Sequence, residues 1–268
     1  MKKYAAIILS MLVTALSSML TMAAAGNDES VWNQVLKQQF FPGKNIQESS
    51  DVIEIDAPYR AEDPALVPIK IKSKIVQTPK HYIKRITVLI DQNPVPFAAE
   101  FSFTPASGRA DLAMRVRFNS YSYIRAIAEM NDGKLYMNKM FVKASGGCSA
   151  PIGADLDAAM ARLGKMKFRL DGDVKTNQPT LAQLLISHPN ITGMQMDQVS
   201  RHIRPKHYVE KIRVFFNDKP ILTARTDIAI SADPNFRFYF VPSKAGELRA
   251  EVVDNLGQRF IKTYPVKP

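Results

Sequence analysis

An internal repeat is the feature that most restricts how this 268-residue chain can fold. The segment Pro79–Val88 (PKHYIKRITV) returns 126 residues later as Pro205–Val214 (PKHYVEKIRV). Arg125-Ala126 and Arg249-Ala250 repeat at a similar distance, and each pair leads into a turn sequence. The spacing predicts two similar units of about 100 residues each, because a solenoid would repeat with a much shorter period.

Apolar residues at every second position predict that both units are built from β-strands. The alternating sets are Phe97, Ala99, Phe101 and Phe103; Leu112, Met114, Val116 and Phe118; and Phe236, Phe238 and Phe240. Asn131-Asp132-Gly133 predicts a hairpin turn, since Asp and Gly tolerate the positive φ that such a turn needs. We therefore expect an all-β protein with two immunoglobulin-like β-sandwich domains.

Helices are predicted at two places only. Val31, Trp32, Val35, Leu36 and Phe40 share one face of an N-terminal helix that the following Pro-Gly pair ends. A short helical linker from about residue 155 to 163 is predicted between the two units, with an aspartate cap at its start and a glycine at its end.

The N-terminus has the pattern of a secretory signal. Lys2 and Lys3 precede an apolar run, and three alanines ending at Ala25 fit a cleavage site, so residues 1–25 are predicted to be removed. A membrane anchor is the alternative, but no later stretch is long enough to span a membrane. The 36 Lys and Arg against 25 Asp and Glu are spread along the chain. We therefore expect no nucleic-acid partner.

Cys148, the single cysteine, lies between the two units. Seven of the ten residues from 144 to 153 are Gly, Ala or Ser. Such residues have little side chain to bury, so we predict a mobile, exposed arm with Gly146 and Gly147 as its flexible part. An exposed, unpaired thiol is a liability in a secreted protein, and covalent attachment of a substrate would give it a use.

Other uses of the thiol remain open at this point. It can be incidental or form an intermolecular disulfide. A catalytic nucleophile needs a base within reach, and residues 144–153 contain no His, Asp or Glu. We therefore expect a carrier and not an enzyme, with no cofactor.

The histidines give no metal-ligand spacing, so no metal site is expected. His81 and His207 occupy equivalent places in the repeat, which predicts a shared structural use. His188 precedes Pro189, where a turn role is expected, and His202 lies in a polar connector and is predicted to be solvated.

The two units resemble two proteins of periplasmic thiosulfate oxidation. The first is similar to SoxY, the sulfur-carrier subunit, and the second to SoxZ, its partner. The SoxY-like features are Asn93-Pro94-Val95-Pro96, Arg115 with Arg117, Asp132-Gly133-Lys134-Leu135-Tyr136 and Gly146-Gly147-Cys148. The SoxZ-like features are Ile186-Ser187-His188-Pro189, His207-Tyr208-Val209, Ala232-Asp233-Pro234-Asn235-Phe236 and Asp254-Asn255. The whole chain resembles the fused SoxYZ-like carriers associated with quinoprotein dehydrogenases.

The resemblance implies a role for each region. It implies a signal peptide (1–25), a SoxY-like domain with an N-terminal helix (26–143), a carrier arm and linker (144–175) and a SoxZ-like domain (176–268). Cys148 would hold a sulfur intermediate covalently and present it to periplasmic sulfur-oxidation or quinoprotein dehydrogenase proteins, while the two domains pair within the chain. A non-catalytic assembly module for such a dehydrogenase is the alternative. Ser149-Ala150 departs from the family, whose cysteine is followed by two glycines near the chain end.

Overall fold

The computed structural model describes residues 29–151, 156–198 and 200–268. The predicted signal peptide lies outside the described residues. Within them the chain forms strands β1 to β15. In chain order these are Ile46–Glu48, Ile53–Asp56, Val67–Ser73, Ile83–Ile90, Phe97–Phe103, Leu112–Val116, Ser122–Met130, Leu135–Val142, Met166–Asp171, Thr180–Ile186, Val209–Phe216, Lys219–Thr226, Asn235–Phe240, Gly246–Asp254 and Arg259–Val266.

The strands form two layers with an internal symmetry. The larger sheet has the order β1-β8-β7-β4-β5-β12-β11-β14-β15, and the smaller has β2-β3-β6-β13-β10-β9. Strands β2 to β8 and β9 to β15 thus occupy equivalent places, with the repeated sequence on β4 and β11. The predicted all-β, immunoglobulin-like sandwich class is confirmed.

The two units share both sheets. Strand β5 pairs antiparallel with β12 over five residues, with Phe101 opposite Ala224. Strand β6 meets β13 at Ala113 and Arg237. The sequence does not predict these joints, because strand pairs so distant in the chain leave no local pattern. Each joint covers an edge strand whose backbone would otherwise be unpaired.

One hydrophobic core runs through both units between the sheets. The predicted alternating residues supply much of it: Phe101, Val116, Phe118, Phe238 and Phe240 are buried. The Phe101 ring, from the first unit, meets the Phe236 ring of the second edge-on at 5.9 Å between centroids. The core therefore joins the two units as the sheets do.

The predicted N-terminal helix covers the outer face of the larger sheet. It consists of a π-helical turn, Trp32–Leu36, followed by an α-helix, α1, Lys37–Phe40. Trp32 and Leu36 pack on the sheet, but Val35 is 53 % exposed. The expectation that Val35 shares the buried face is wrong, because the wider π turn changes the spacing of residues along the face.

The other predicted local elements are also found. The turn at Asn131-Asp132-Gly133 joins β7 to β8, with Gly133 at φ +86°. Helix α2 spans Leu156–Ala161 in the connector between the units. The predicted cap at residue 155 lies outside the described residues. No helix in the described part of the chain is long and apolar enough to cross a membrane.

Candidate functional site

Cys148 is buried between the two units, with 1 % of its surface exposed. It lies in a turn that follows β8 and precedes α2. The expectation of an exposed thiol is therefore wrong for this conformation. Small residues suit a flexible arm, but they also let two pieces of backbone approach closely, and the second property decides the structure here.

Gly146 and Gly147 hold the turn against the first unit. Their N–H groups donate to the carbonyls of Asn119 (2.9 Å) and Phe118 (2.8 Å). A Cβ on Gly147 would lie 2.1 Å from the carbonyl oxygen of Pro64, so any larger residue would displace the turn. The expectation that these two glycines form a loose arm is wrong for this conformation, and Gly147 is required by close packing.

The second unit holds the same turn from the other side. The hydroxyl of Thr192 donates to the carbonyl of Cys148 at 2.6 Å. The amide of Gln195 donates to the carbonyl of Ala150 at 3.0 Å and accepts from the N–H of Thr192. Both side chains are buried. The backbone that carries the thiol is therefore held by hydrogen bonds from both halves of the chain.

Burial changes the acidity of the thiol. It raises the pKa of Cys148 to about 11, because the charged thiolate loses its solvation, and the nearby positive charge of Arg117 opposes only part of this increase. At neutral pH the group is a protonated thiol. Since the thiolate is the reactive form, the resting site is chemically quiet.

A cavity of about 500 Å³ opens next to the turn. Ala150 and Pro151 line one side, and Gln195 and Asp233 of the second unit line another. Three arginines complete the wall: Arg115, Arg117 and Arg162. The cavity is thus built by both units, beside the only cysteine.

Arg117 is the central link between the units. The sequence pattern predicts a polar residue at this position between two core residues, yet Arg117 is only 3 % exposed. Its Nη1 donates to the carbonyls of Asn190 (2.9 Å), Ile228 (3.3 Å) and Ile230 (2.8 Å). Asn93, in the first unit, donates to the carbonyl of Arg117 at 2.8 Å. One side chain therefore satisfies three carbonyls of the opposite unit.

Three further polar residues meet in the second unit, and no sequence pattern predicts that they lie together. His207 Nε2 lies 2.8 Å from Asp254 Oδ2, and His188 Nε2 lies 3.7 Å from the same oxygen. The two imidazoles meet edge-on with centroids 4.6 Å apart. All three residues are buried, and burial lowers the pKa of His188 to about 4, with the neighbouring His207 acting in the same direction.

The cluster is held as a hydrogen-bonded group. The N–H of Asn190 donates to His188 Nδ1 at 3.1 Å, which is the turn role expected for this histidine. A neutral imidazole that accepts at Nδ1 carries its proton on Nε2. The three side chains offer ligand atoms within 4.8 Å of one another. A metal on Nε2 would nevertheless require that the proton move to Nδ1, which already faces an N–H donor.

His81 and His207 do not share a structural use, so that prediction is wrong. His81 is exposed, whereas His207 is buried against Asp254. The position that corresponds to Asp254 in the first unit is Met130, which offers no comparable acceptor. Comparing the partner positions of the repeat as well as the histidines would have revealed the difference. His202 is exposed, as predicted.

Comparison with known proteins assigns both units. Residues 37–148 match the family described as sulfur oxidation protein SoxY, and residues 168–265 match the family described as sulphur oxidation protein SoxZ. No match to a curated protein was found.

Solved structures similar to part of the chain include a SoxY protein and a superoxide reductase. The sulfur carrier protein SoxY from Chlorobium limicola f thiosulfatophilum is 27 % identical and has a TM-score of 0.34, with 40 % of this chain and 87 % of that chain covered. A superoxide reductase (neelaredoxin) from Ignicoccus hospitalis, variant E23A, is 15 % identical and has a TM-score of 0.32, with 35 % of this chain and 81 % of that chain covered. With the two family matches in this order, the chain contains a SoxY domain followed by a SoxZ domain.

Proposed function

We propose that the protein is a periplasmic thiol carrier, which binds a sulfur intermediate covalently on Cys148 and presents it to partner enzymes. The observation that carries the proposal is the position of the thiol. The SoxY match ends at Cys148, the only cysteine of the chain, and the SoxZ match follows it. The same proposal includes export to the periplasm with removal of the signal peptide after Ala25.

Carriage requires that the turn around Cys148 leave its site. Among the described residues, four hydrogen bonds hold it: those of Gly146 and Gly147 to the first unit and those of Thr192 and Gln195 to the second. The turn buries few large apolar side chains, so these bonds are its main attachment. Segments with few apolar contacts open locally at a fraction of the global free energy of unfolding. The buried conformation is then the resting state, and the opened one accepts and delivers sulfur.

Partner enzymes supply the chemistry in this proposal. The partners of the turn in these hydrogen bonds are two carbonyls, which accept, and a hydroxyl and an amide, which donate. None of these groups is a base for a thiol with a pKa near 11. An autonomous cysteine enzyme needs such a base in contact with the sulfur. A carrier does not, because the visiting enzyme activates the opened thiol.

Intact-mass measurement of protein from the native periplasm tests the proposal. We expect a chain that begins at Gly26 and carries a sulfur-containing adduct, which tryptic mapping places on Cys148. A Cys148→Ala strain is expected to lose sulfur-compound oxidation, while a Ser149→Ala strain, altered at the adjacent residue, retains it. An unmodified Cys148 together with full pathway activity in Cys148→Ala would refute carriage.

The burial of Cys148 also favours a second candidate function, a non-catalytic assembly module for a quinoprotein dehydrogenase. In that case the turn is a structural joint, and the outer faces of the sandwich bind the partner. The candidate predicts that Cys148→Ala retains partners in a periplasmic pull-down and retains pathway activity. The same strain therefore separates the two functions.

A further inference from the structure

Arg117 has hydrogen-bonding capacity that the fold does not use. Its Nη1 serves three carbonyls, while Nε is buried without a hydrogen-bond partner among the described residues. In arginine, Nε and Nη2 form the edge that binds two oxygens of one anion. Arg117 also lines the cavity between the units.

The charges around the cavity leave Arg117 without a close counter-ion among the described residues. Arg162 is paired with Asp233 at 2.9 Å. Arg115 donates from Nη2 to the carbonyl of Asp233 at 3.0 Å, and its Nε is also buried without a partner. Asp63 is exposed, and its Oδ1 accepts from the N–H of Ala65. Its charge acts on Arg117 without a salt bridge.

The pKa of Arg117 agrees with the lack of a close counter-ion. Burial lowers its pKa to about 10, and the negative charge of Asp63 opposes this only in part, while the protonated thiol of Cys148 carries no charge at neutral pH. A buried cation is stabilised by an anion in contact with it. The cavity of about 500 Å³ leaves room for one.

We infer that Arg117, assisted by Arg115, forms a binding site for a tetrahedral oxyanion of the sulfate or sulfonate class in the cavity between the two units. Two oxygens of the anion would accept from the Nε and Nη2 edge of Arg117. The anion is either free in solution or the terminal sulfonate of an adduct on Cys148. Only the second source rests on the proposed carrier function.

Matched arginine variants test the site. Thiosulfate and sulfate are titrated at constant ionic strength into Cys148→Ser, in which no adduct can form, and the thermal midpoint is followed. We expect a saturable increase of the thermal midpoint. In the same background, Arg117→Lys is expected to weaken the affinity for the anion by about tenfold, because lysine keeps the charge but loses the two-point edge. Arg109→Lys, at an exposed arginine that pairs with Asp111 and does not line the cavity, retains the increase.

A second experiment examines a sulfonate that is attached covalently to Cys148. Protein with free Cys148 is treated with tetrathionate and then sulfite, which displaces thiosulfate from the first adduct and leaves an S-sulfonate on the cysteine. If free anions do not bind, this modification is expected to raise the thermal midpoint, and Arg117→Lys is expected to abolish the rise.

Asp63→Asn covers the case in which Arg117→Lys fails to fold. It removes a cavity carboxylate whose charge acts on Arg117 and is expected to strengthen binding at least about twofold, because the field at Arg117 becomes more positive. The inference is overturned when Arg117→Lys behaves like Arg109→Lys in both experiments, or when Asp63→Asn has no effect. Binding in Cys148→Ser would stand even if carriage were refuted.

Discussion

The Cys148 side chain has a raised pKa because it is buried, and this predicts slow alkylation of the folded protein. The change from 9.0 to about 11 lowers the thiolate fraction at pH 8 by roughly 100-fold. We expect iodoacetamide to react with native Cys148 at least about 100-fold more slowly than with the protein in urea. Mass spectrometry follows a single site, since the chain has one cysteine. Similar rates in both conditions would show that the thiol is exposed.

The lowered pKa of His188 predicts that the folded protein loses stability in acid. Its pKa is lowered from 6.5 to about 4, so the unfolded chain binds a proton that the folded chain does not. This contribution to the free energy of unfolding is full above pH 6.5 and declines as the pH falls towards 4, by about 3 kcal/mol at most.

Urea unfolding at pH 7.5 and 4.5 measures this loss. His188→Gln is expected to lose less stability between the two pH values than the unaltered chain. His202→Gln, at an exposed histidine, is expected to behave like the unaltered chain. Equal losses in all three proteins would exclude His188 as the titrating group.

At the scale of single elements, the hydroxyl of Thr192 supplies one of the hydrogen bonds that hold the turn around Cys148. Thr192→Val keeps the shape of the side chain but removes the hydrogen bond to the Cys148 carbonyl, worth about 1 kcal/mol. We expect native alkylation of Cys148 to accelerate about fivefold while the global unfolding midpoint changes much less. Thr263→Val, on an exposed part of β15, is the control. An unchanged alkylation rate would mean that the turn opens only with the whole protein.

Sequence patterns predicted the local elements well and the contacts between them poorly. Alternation along Phe97–Phe103 and the turn at Gly133 are local signals, and both elements are found. The joint of β5 with β12 and the meeting of His188 with Asp254 depend on residues far apart in the chain. The burial of Cys148 was missed because small residues permit both a free arm and a close approach of two backbones.

At the scale of the whole molecule, the shared sheets and core predict one cooperative unfolding transition. Trp32, the single tryptophan, reports on the first unit, and far-ultraviolet circular dichroism reports on both. We expect the two signals to coincide during urea unfolding.

Phe101→Ala extends this test to the core. It removes a ring that meets Phe236 of the other unit and is expected to cost about 3–5 kcal/mol. Both signals should shift together to a lower urea concentration. Separate midpoints for tryptophan fluorescence and circular dichroism would show that the units unfold independently.

The pairing of β5 with β12 occurs within one polypeptide, so its equilibrium does not depend on how dilute the protein is. Two separate chains joined by the same strands would dissociate at low concentration and expose both edges to other proteins. The fused chain keeps a fixed ratio of one half to the other. A single molecule, alone in a large compartment, still has a complete cavity.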